Sequence, residues 1–162
     1  MATLTFKDHI RIHASPADVW CFLEDPDMLK LWCPKLQQTT LVDNQRLRAG
    51  TRFQSTYDMR GKTYTVDAHV QAADEPSRLV MLYTGGCLGD GGSARESIEL
   101  TPTEDDWTSL TRRVEIIDAR ISLWCRLLIR VSNLIGRPIG RTNLQELKQL
   151  VESSSQPMVD HV

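Results

Sequence analysis

One stretch near the C-terminal end, Ala119 to Glu152, constrains how the rest of this 162-residue chain can fold. Ile121, Trp124, Leu128, Val131 and Ile135 recur at helical spacing, and Leu127 and Leu134 widen the stripe. Ser122, Arg126, Arg130, Asn133 and Arg137 share the opposite side. An apolar arc that wide calls for burial over most of the helix circumference. Pro138, between Gly136 and Gly140, removes a backbone hydrogen bond and crowds the carbonyl of Leu134, so a kink or break is expected there. The pattern resumes at Leu144, Leu147 and Val151, and Asn143 followed by Glu146 would recap a broken helix. Arg126 and Arg130 interrupt the apolar run well before the ~20 residues a membrane span needs. The stretch therefore reads as a long helix that the remainder of the chain must cover.

That remainder is mostly strand. Leu4 to Ile12 alternates Leu4, Phe6, Ile10 and Ile12 against Thr5, Lys7, His9 and Arg11, with Asp8 on the apolar side. Ser15 as N-cap and Pro16 at the first helical position open a short helix carrying Val19, Trp20 and Leu23. Asp25-Pro26 ends it and starts a second, with Met28, Leu29 and Trp32. Strands are then expected over Leu36–Asp43, Thr51–Met59, Tyr64–Ala72, Leu79–Thr84, Ala94–Thr101 and Trp107–Asp118. Gly85-Gly86 and Gly89 to Gly92 read as a flexible loop. An antiparallel sheet of about seven strands that must cover one long helix will curl around it, giving an α+β domain.

Composition narrows the function classes. A hydrophobic fraction of 41% suits a single domain with a real core, placed over residues 1–152, with 153–162 as a polar tail. A formal net charge of -2 argues against a nucleic-acid binder. Charge is uneven, however: residues 111–150 hold eight Lys/Arg against three Asp/Glu, which offers a basic face for peripheral membrane contact. The N-terminal residues show no basic region leading into an apolar run, and Cys21, Cys33, Cys87 and Cys125 have no CxxC spacing. Reduced thiols and a cytoplasmic location are the expectation. Nothing in the composition separates a monomer from a homodimer.

The segment Ala14, Ser15, Pro16, Val19, Trp20, Leu23, Asp25, Pro26, Leu29 and Trp32 resembles, in residues and spacing, the START-like superfamily, the SRPBCC group that includes polyketide cyclase/dehydrase-like proteins. Gly50 before a strand, Glu75-Pro76 before Leu79, and the terminal Leu144, Leu147 and Leu150 fit the same pattern. The resemblance implies a helix-grip fold: a curved antiparallel sheet around the C-terminal helix, two short helices after the first strand, and a cavity for hydrophobic ligands. It does not by itself assign a function, because the matching segment builds structure and carries no catalytic signature.

Candidate site residues are polar side chains on otherwise apolar inner faces. Glu96 shares a face with Ile98 and Leu100, and Arg112 with Leu110, Val114 and Ile116. The hairpin register brings the two nearly opposite, either as a self-satisfying ion pair or as an anchor for a ligand's carboxylate or hydroxyl. Phe53, Tyr57, Tyr64, Met81, Tyr83, Trp124 and Leu128 would line the cavity. The first reading is a small apolar ligand, of lipid, polyketide, quinone or isoprenoid class, oriented by Glu96 and Arg112. The second is a cofactor-free cyclase or dehydratase using Glu96, Asp8 or a tyrosine as general acid or base. The third is a membrane-surface adaptor. No metal or cofactor is expected: His9 and His13 would stand ~13 Å apart on a strand, and Gly85–Gly92 lacks the strand-and-helix context of a phosphate loop.

Overall fold

The computed structural model describes residues 4–42, 46–59, 61–117 and 141–155. Seven strands form one antiparallel sheet: β1 (Leu4–Ile12), β2 (Leu36–Leu41), β3 (Arg52–Met59), β4 (Lys62–Asp74), β5 (Arg78–Thr84), β6 (Ser93–Pro102) and β7 (Thr108–Ile117). Two short helices, α1 (Pro16–Glu24) and α2 (Pro26–Trp32), follow β1, and α3 (Arg141–Ser154) lies near the C-terminus. The spatial order is β1-β7-β6-β5-β4-β3-β2. Strands β2 to β7 form a continuous meander, whereas β1 and β2 occupy opposite edges although only α1 and α2 separate them in sequence. The two helices must therefore cross one end of the sheet from edge to edge. This is the helix-grip arrangement expected from the sequence, and the strand boundaries agree within one or two residues.

Local chemistry explains the helix starts. Ser15 Oγ accepts from the Asp18 amide at 3.2 Å and donates to Asp18 Oδ2 at 2.7 Å. Asp25 Oδ1 accepts from the Asp27 amide at 2.9 Å, and prolines occupy the first turn of both helices. Curvature has a local source too. Register slips at Leu36/Gln38 and at Val70/Ala72, and such bulges bend a strand and increase its twist.

The core collects where the short helices, α3 and one end of the sheet meet. Val19, Trp20, Leu23, Leu29 and Trp32 pack with Leu144, Leu147 and Val151, and with Ile12, Leu79, Ile98, Leu100 and Leu110 from the strands. Fully burying each aliphatic side chain contributes about 1.5–3 kcal/mol. The indole N–H groups are satisfied: Trp32 Nε1 donates to the Phe22 carbonyl at 3.1 Å and Trp20 Nε1 to Glu24 Oε2 at 3.3 Å. Glu24, itself buried, is held by Arg46 at 2.7 Å.

Two expectations change in this frame. The loop after β5 closes into a single 3₁₀ turn, Gly86–Leu88, instead of a free flexible loop. Gly86 has φ +57°, and an added Cβ would fall 2.6 Å from the Thr65 carbonyl oxygen and 2.7 Å from Val66 Cγ1. Only glycine lets the turn sit that closely on β4. Asn143 does not recap the helix: α3 already begins at Arg141, and the Asn143 amide is used elsewhere. The Gly136–Gly140 interruption, and the whole of the long stripe before it, lie outside the described residues. No helix among the described residues is long and apolar enough to cross a membrane.

Candidate functional site

The inner face of the sheet carries three cross-strand rows that converge on Glu96. In the first, Phe53 on β3 pairs with Ala68 on β4, Ala68 with Tyr83 on β5, and Tyr83 with Ala94 on β6. Ala68 is small enough to let the flanking rings meet over it, edge to face, with centroids 6.3 Å apart. The second row runs Val70, Met81, Glu96, Val114 and Phe6. The third runs Leu79, Ile98, Arg112 and Asp8. Glu96 thus stands between the rows of Tyr83 and Arg112, in reach of both along the diagonals of the sheet.

Both contacts form. Arg112 Nε donates to Glu96 Oε1, and the Tyr83 hydroxyl donates to Glu96 Oε2 at 3.0 Å. The Tyr83 hydroxyl also lies 3.4 Å from Met81 Sδ. The side chains of Arg112 and Glu96 are only 17% and 9% exposed, so this ion pair is largely removed from water. Glu96 and Arg112, read from the sequence as nearly opposite, stand on a diagonal and not as direct cross-strand partners. Each faces an apolar residue, Val114 and Ile98, and the pairing is diagonal because both side chains are long. Asp8 is buried and stands opposite Arg112 in the β1–β7 register.

Electrostatics hold the surrounding groups protonated. Burial first, and then the Glu96 charge, push the Tyr57 and Tyr83 phenols above the ordinary tyrosine range. The same causes, in the same order, push the Cys33 thiol up. Arg112 is burdened by its own burial, yet Glu96 outweighs that and raises its pKa. The result is a carboxylate–guanidinium centre ringed by neutral hydrogen-bond donors.

Of the residues named from sequence, Phe53, Met81, Tyr83, Glu96 and Arg112 come together here. Tyr57 and Tyr64 are cross-strand partners on β3 and β4; Tyr57 packs against the core and borders the site, its phenol pKa raised by burial and then by the Glu96 charge. Trp124 and Leu128 lie outside the described residues. Sequence reasoning missed Cys33 and Asn143. Cys33 follows α2, its amide donating to the Leu29 carbonyl at 3.0 Å. Asn143 Nδ2 donates to Cys33 Sγ at 3.5 Å. A signal for Asn143 was present: it stands four and seven residues before Leu147 and Leu150, on the core-facing stripe of α3.

The basic face inferred for residues 111–150 is largely spoken for where it is described. Arg112 is in the ion pair, Arg113 bridges to Glu115 at 2.7 Å, and Lys148 bridges to Glu152 at 3.5 Å and donates to the Arg11 carbonyl at 2.9 Å. The remaining arginines of that stretch are either outside the described residues or at the very start of α3.

A curved antiparallel sheet facing a C-terminal helix, with one polar network set in an apolar inner face, defines a helix-grip protein of the START-like type. Residues 3–152 match the profile of the family described as polyketide cyclase/dehydrase and lipid transport, and the chain belongs to that family. Among solved structures, a protein from Thermus thermophilus shares 18% identity with a TM-score of 0.72, over 94% of this chain and 100% of that one. A conserved protein from Geobacillus kaustophilus shares 19% identity with a TM-score of 0.69, over 93% of this chain and 97% of that one. The protein named Ara h 8.0201 shares 16% identity with a TM-score of 0.67, over 94% of this chain and 99% of that one. At these identities the likeness is one of fold. A search of curated proteins finds no match.

Proposed function

We propose that this protein binds a small, mostly apolar molecule, of lipid, polyketide, quinone or isoprenoid class, against the concave face of the sheet. Glu96, Arg112 and Tyr83 orient its polar group. The observation that carries this reading is the state of Glu96: both its oxygens are already engaged, one by Arg112 and one by Tyr83. A general base needs a carboxylate oxygen aimed at the substrate proton. Here each carboxylate oxygen accepts a hydrogen bond, from Arg112 and from Tyr83, and burial with the Glu96 charge favours the protonated phenols and thiol around it. The site offers donors in an apolar setting, which suits recognition of a carbonyl, carboxylate or hydroxyl. Apolar burial, at ~25 cal/mol per Å², supplies the main driving force. The family description, which joins cyclase and dehydrase activity with lipid transport, is consistent with both a carrier and an enzyme.

The test is native mass spectrometry of protein purified gently from cell extract, with and without added lipid extract. The expected result is an added mass of a few hundred daltons that leaves on denaturation. A bare mass under both conditions would rule out the carrier. Glu96→Gln then separates carrier from cyclase: it should leave apolar binding within a fewfold, whereas an enzyme using Glu96 as base would lose turnover altogether.

A further inference from the structure

We infer that the loop joining β5 to β6, Gly85–Gly92, is a hinged lid at the rim of the Glu96 site, opening to pass the ligand and closing behind it. This rests on the binding function proposed above. Five of the eight residues are glycine, and the backbone shows what two of them are used for. Gly85 has φ 78° and ψ -160°, and Gly89 has φ 77° and ψ 178°. Only glycine occupies that region without strain. The two bracket the 3₁₀ turn Gly86–Leu88, so the chain can pivot on either side of it. The loop is also bonded to itself. The Leu88 amide donates to the Gly85 carbonyl at 3.1 Å, Gly89 to Gly86 at 3.2 Å, and Gly92 to Gly89 at 3.2 Å. A segment held by its own hydrogen bonds between two hinges moves as one body.

The seat and the two ends of the loop place it beside the site. Gly86 rests on β4 so closely that an added Cβ would fall 2.6 Å from the Thr65 carbonyl oxygen and 2.7 Å from Val66 Cγ1. Val66 is buried and shares the inner face of β4 with Ala68, over which the Phe53 and Tyr83 rings meet. The loop leaves β5 directly after Tyr83 and Thr84 and joins β6 at Ser93, next to Ala94, the cross-strand partner of Tyr83. Both ends are thus tied to the row whose tyrosine hydroxyl donates to Glu96 at 3.0 Å. Phe53, Ala68, Met81, Ala94 and Glu96 are all buried, so a ligand reaches them only when some element moves. A swing about Gly85 and Gly89 gives up the van der Waals seat on β4 and keeps the turn's own hydrogen bonds, which makes it a local opening and not an unfolding.

The experiment uses the full chain and one probe, a dansylated fatty acid whose fluorescence reports binding in stopped flow. The variant is Gly85→Ala with Gly89→Ala. A Cβ at either position meets nothing within 4 Å among the described residues, so the change acts through the backbone alone. It disfavours the closed conformation, and the association and dissociation rates of the probe should both rise about tenfold while Kd stays within about threefold. Amide hydrogen exchange of the unaltered protein is the second reading, and it decides the question if the variant does not fold. Leu88, Gly89 and Gly92 should exchange through a local opening insensitive to low urea, faster than β5 and β6, and bound probe should slow them. Unchanged probe rates in a folded variant, or loop amides that exchange only with global unfolding, would overturn the lid while leaving the binding function standing. Failure of the probe to bind the unaltered protein would instead count against the binding function and the lid together.

Discussion

Replacing Arg112 by methionine tests whether the Glu96–Arg112 pair is one buried unit. The substitution keeps the aliphatic length and removes the guanidinium. Among the described residues, Glu96 then retains only the Tyr83 hydroxyl as a donor, at 9% side-chain exposure. Breaking a buried pair from one side costs about 3–5 kcal/mol. The 17% exposure of Arg112 places this case near the lower end, about 3 kcal/mol. For a chain of this size that corresponds to a fall in melting temperature of roughly 6–12 °C. Glu96→Leu should lose less, because Asp8 still stands opposite the guanidinium on β1. The double variant Glu96→Leu/Arg112→Met replaces both partners by apolar side chains and should fall within about 1 kcal/mol of the parent. Asp8, opposite Arg112, is present in all four proteins and cancels from the cycle to first order. Urea unfolding followed by tryptophan fluorescence reads all four, and the coupling should reach at least about 2 kcal/mol. If the single losses simply add in the double variant, the pair is solvated and the argument from burial fails.

Other outcomes follow from the same structure. Leu147→Ala, at a fully buried position of α3, should destabilise by about 2–5 kcal/mol in urea unfolding. Ser15→Ala removes the α1 cap and should cost about 1 kcal/mol by the same measurement. Gly86→Ala forces a Cβ into the Thr65 carbonyl at φ +57° and should cost at least about 1 kcal/mol, with faster hydrogen exchange confined to the turn and β4; a neutral result would mean the turn does not dock. For pH, the folded pKa values of Tyr57 and Tyr83 lie above the free-tyrosine value of 10.0. The folded state therefore holds protons that the unfolded chain releases. The contribution of these phenols to stability is complete below the free-tyrosine value and is lost as pH rises from there through the folded values. Stability measured across the alkaline range should fall, and Tyr57→Phe with Tyr83→Phe should flatten the decline; an unchanged slope would remove burial of the phenols as its cause.

The inner and outer faces of the strands were legible because period-two alternation is a local property. Asp8 and Glu96 could be marked as polar residues on apolar faces before any strand was paired. That Glu96 meets Arg112 on a diagonal, and takes Tyr83 as well, was not legible. It depends on which strands are neighbours and on their register, and on the reach of side chains across about two residues. Cys33 and Asn143 were missed for a related reason. One follows a short helix and the other lies 110 positions later, and neither carries a motif.

What the sequence alone determined is the set of described elements: the cap at Ser15, the Asp25-Pro26 break, the alternating strands, and the terminal stripe of Leu144, Leu147 and Val151 that required cover. Each of these is written within a few residues, because capping, periodicity and turn chemistry act between near neighbours. What only the tertiary structure decided is the site. Ala68 lets the Phe53 and Tyr83 rings meet, β1 and β2 part to opposite edges, and α3 brings Asn143 onto Cys33. These are contacts between residues far apart in the chain, and no local signal encodes which of many apolar faces will come to lie against which.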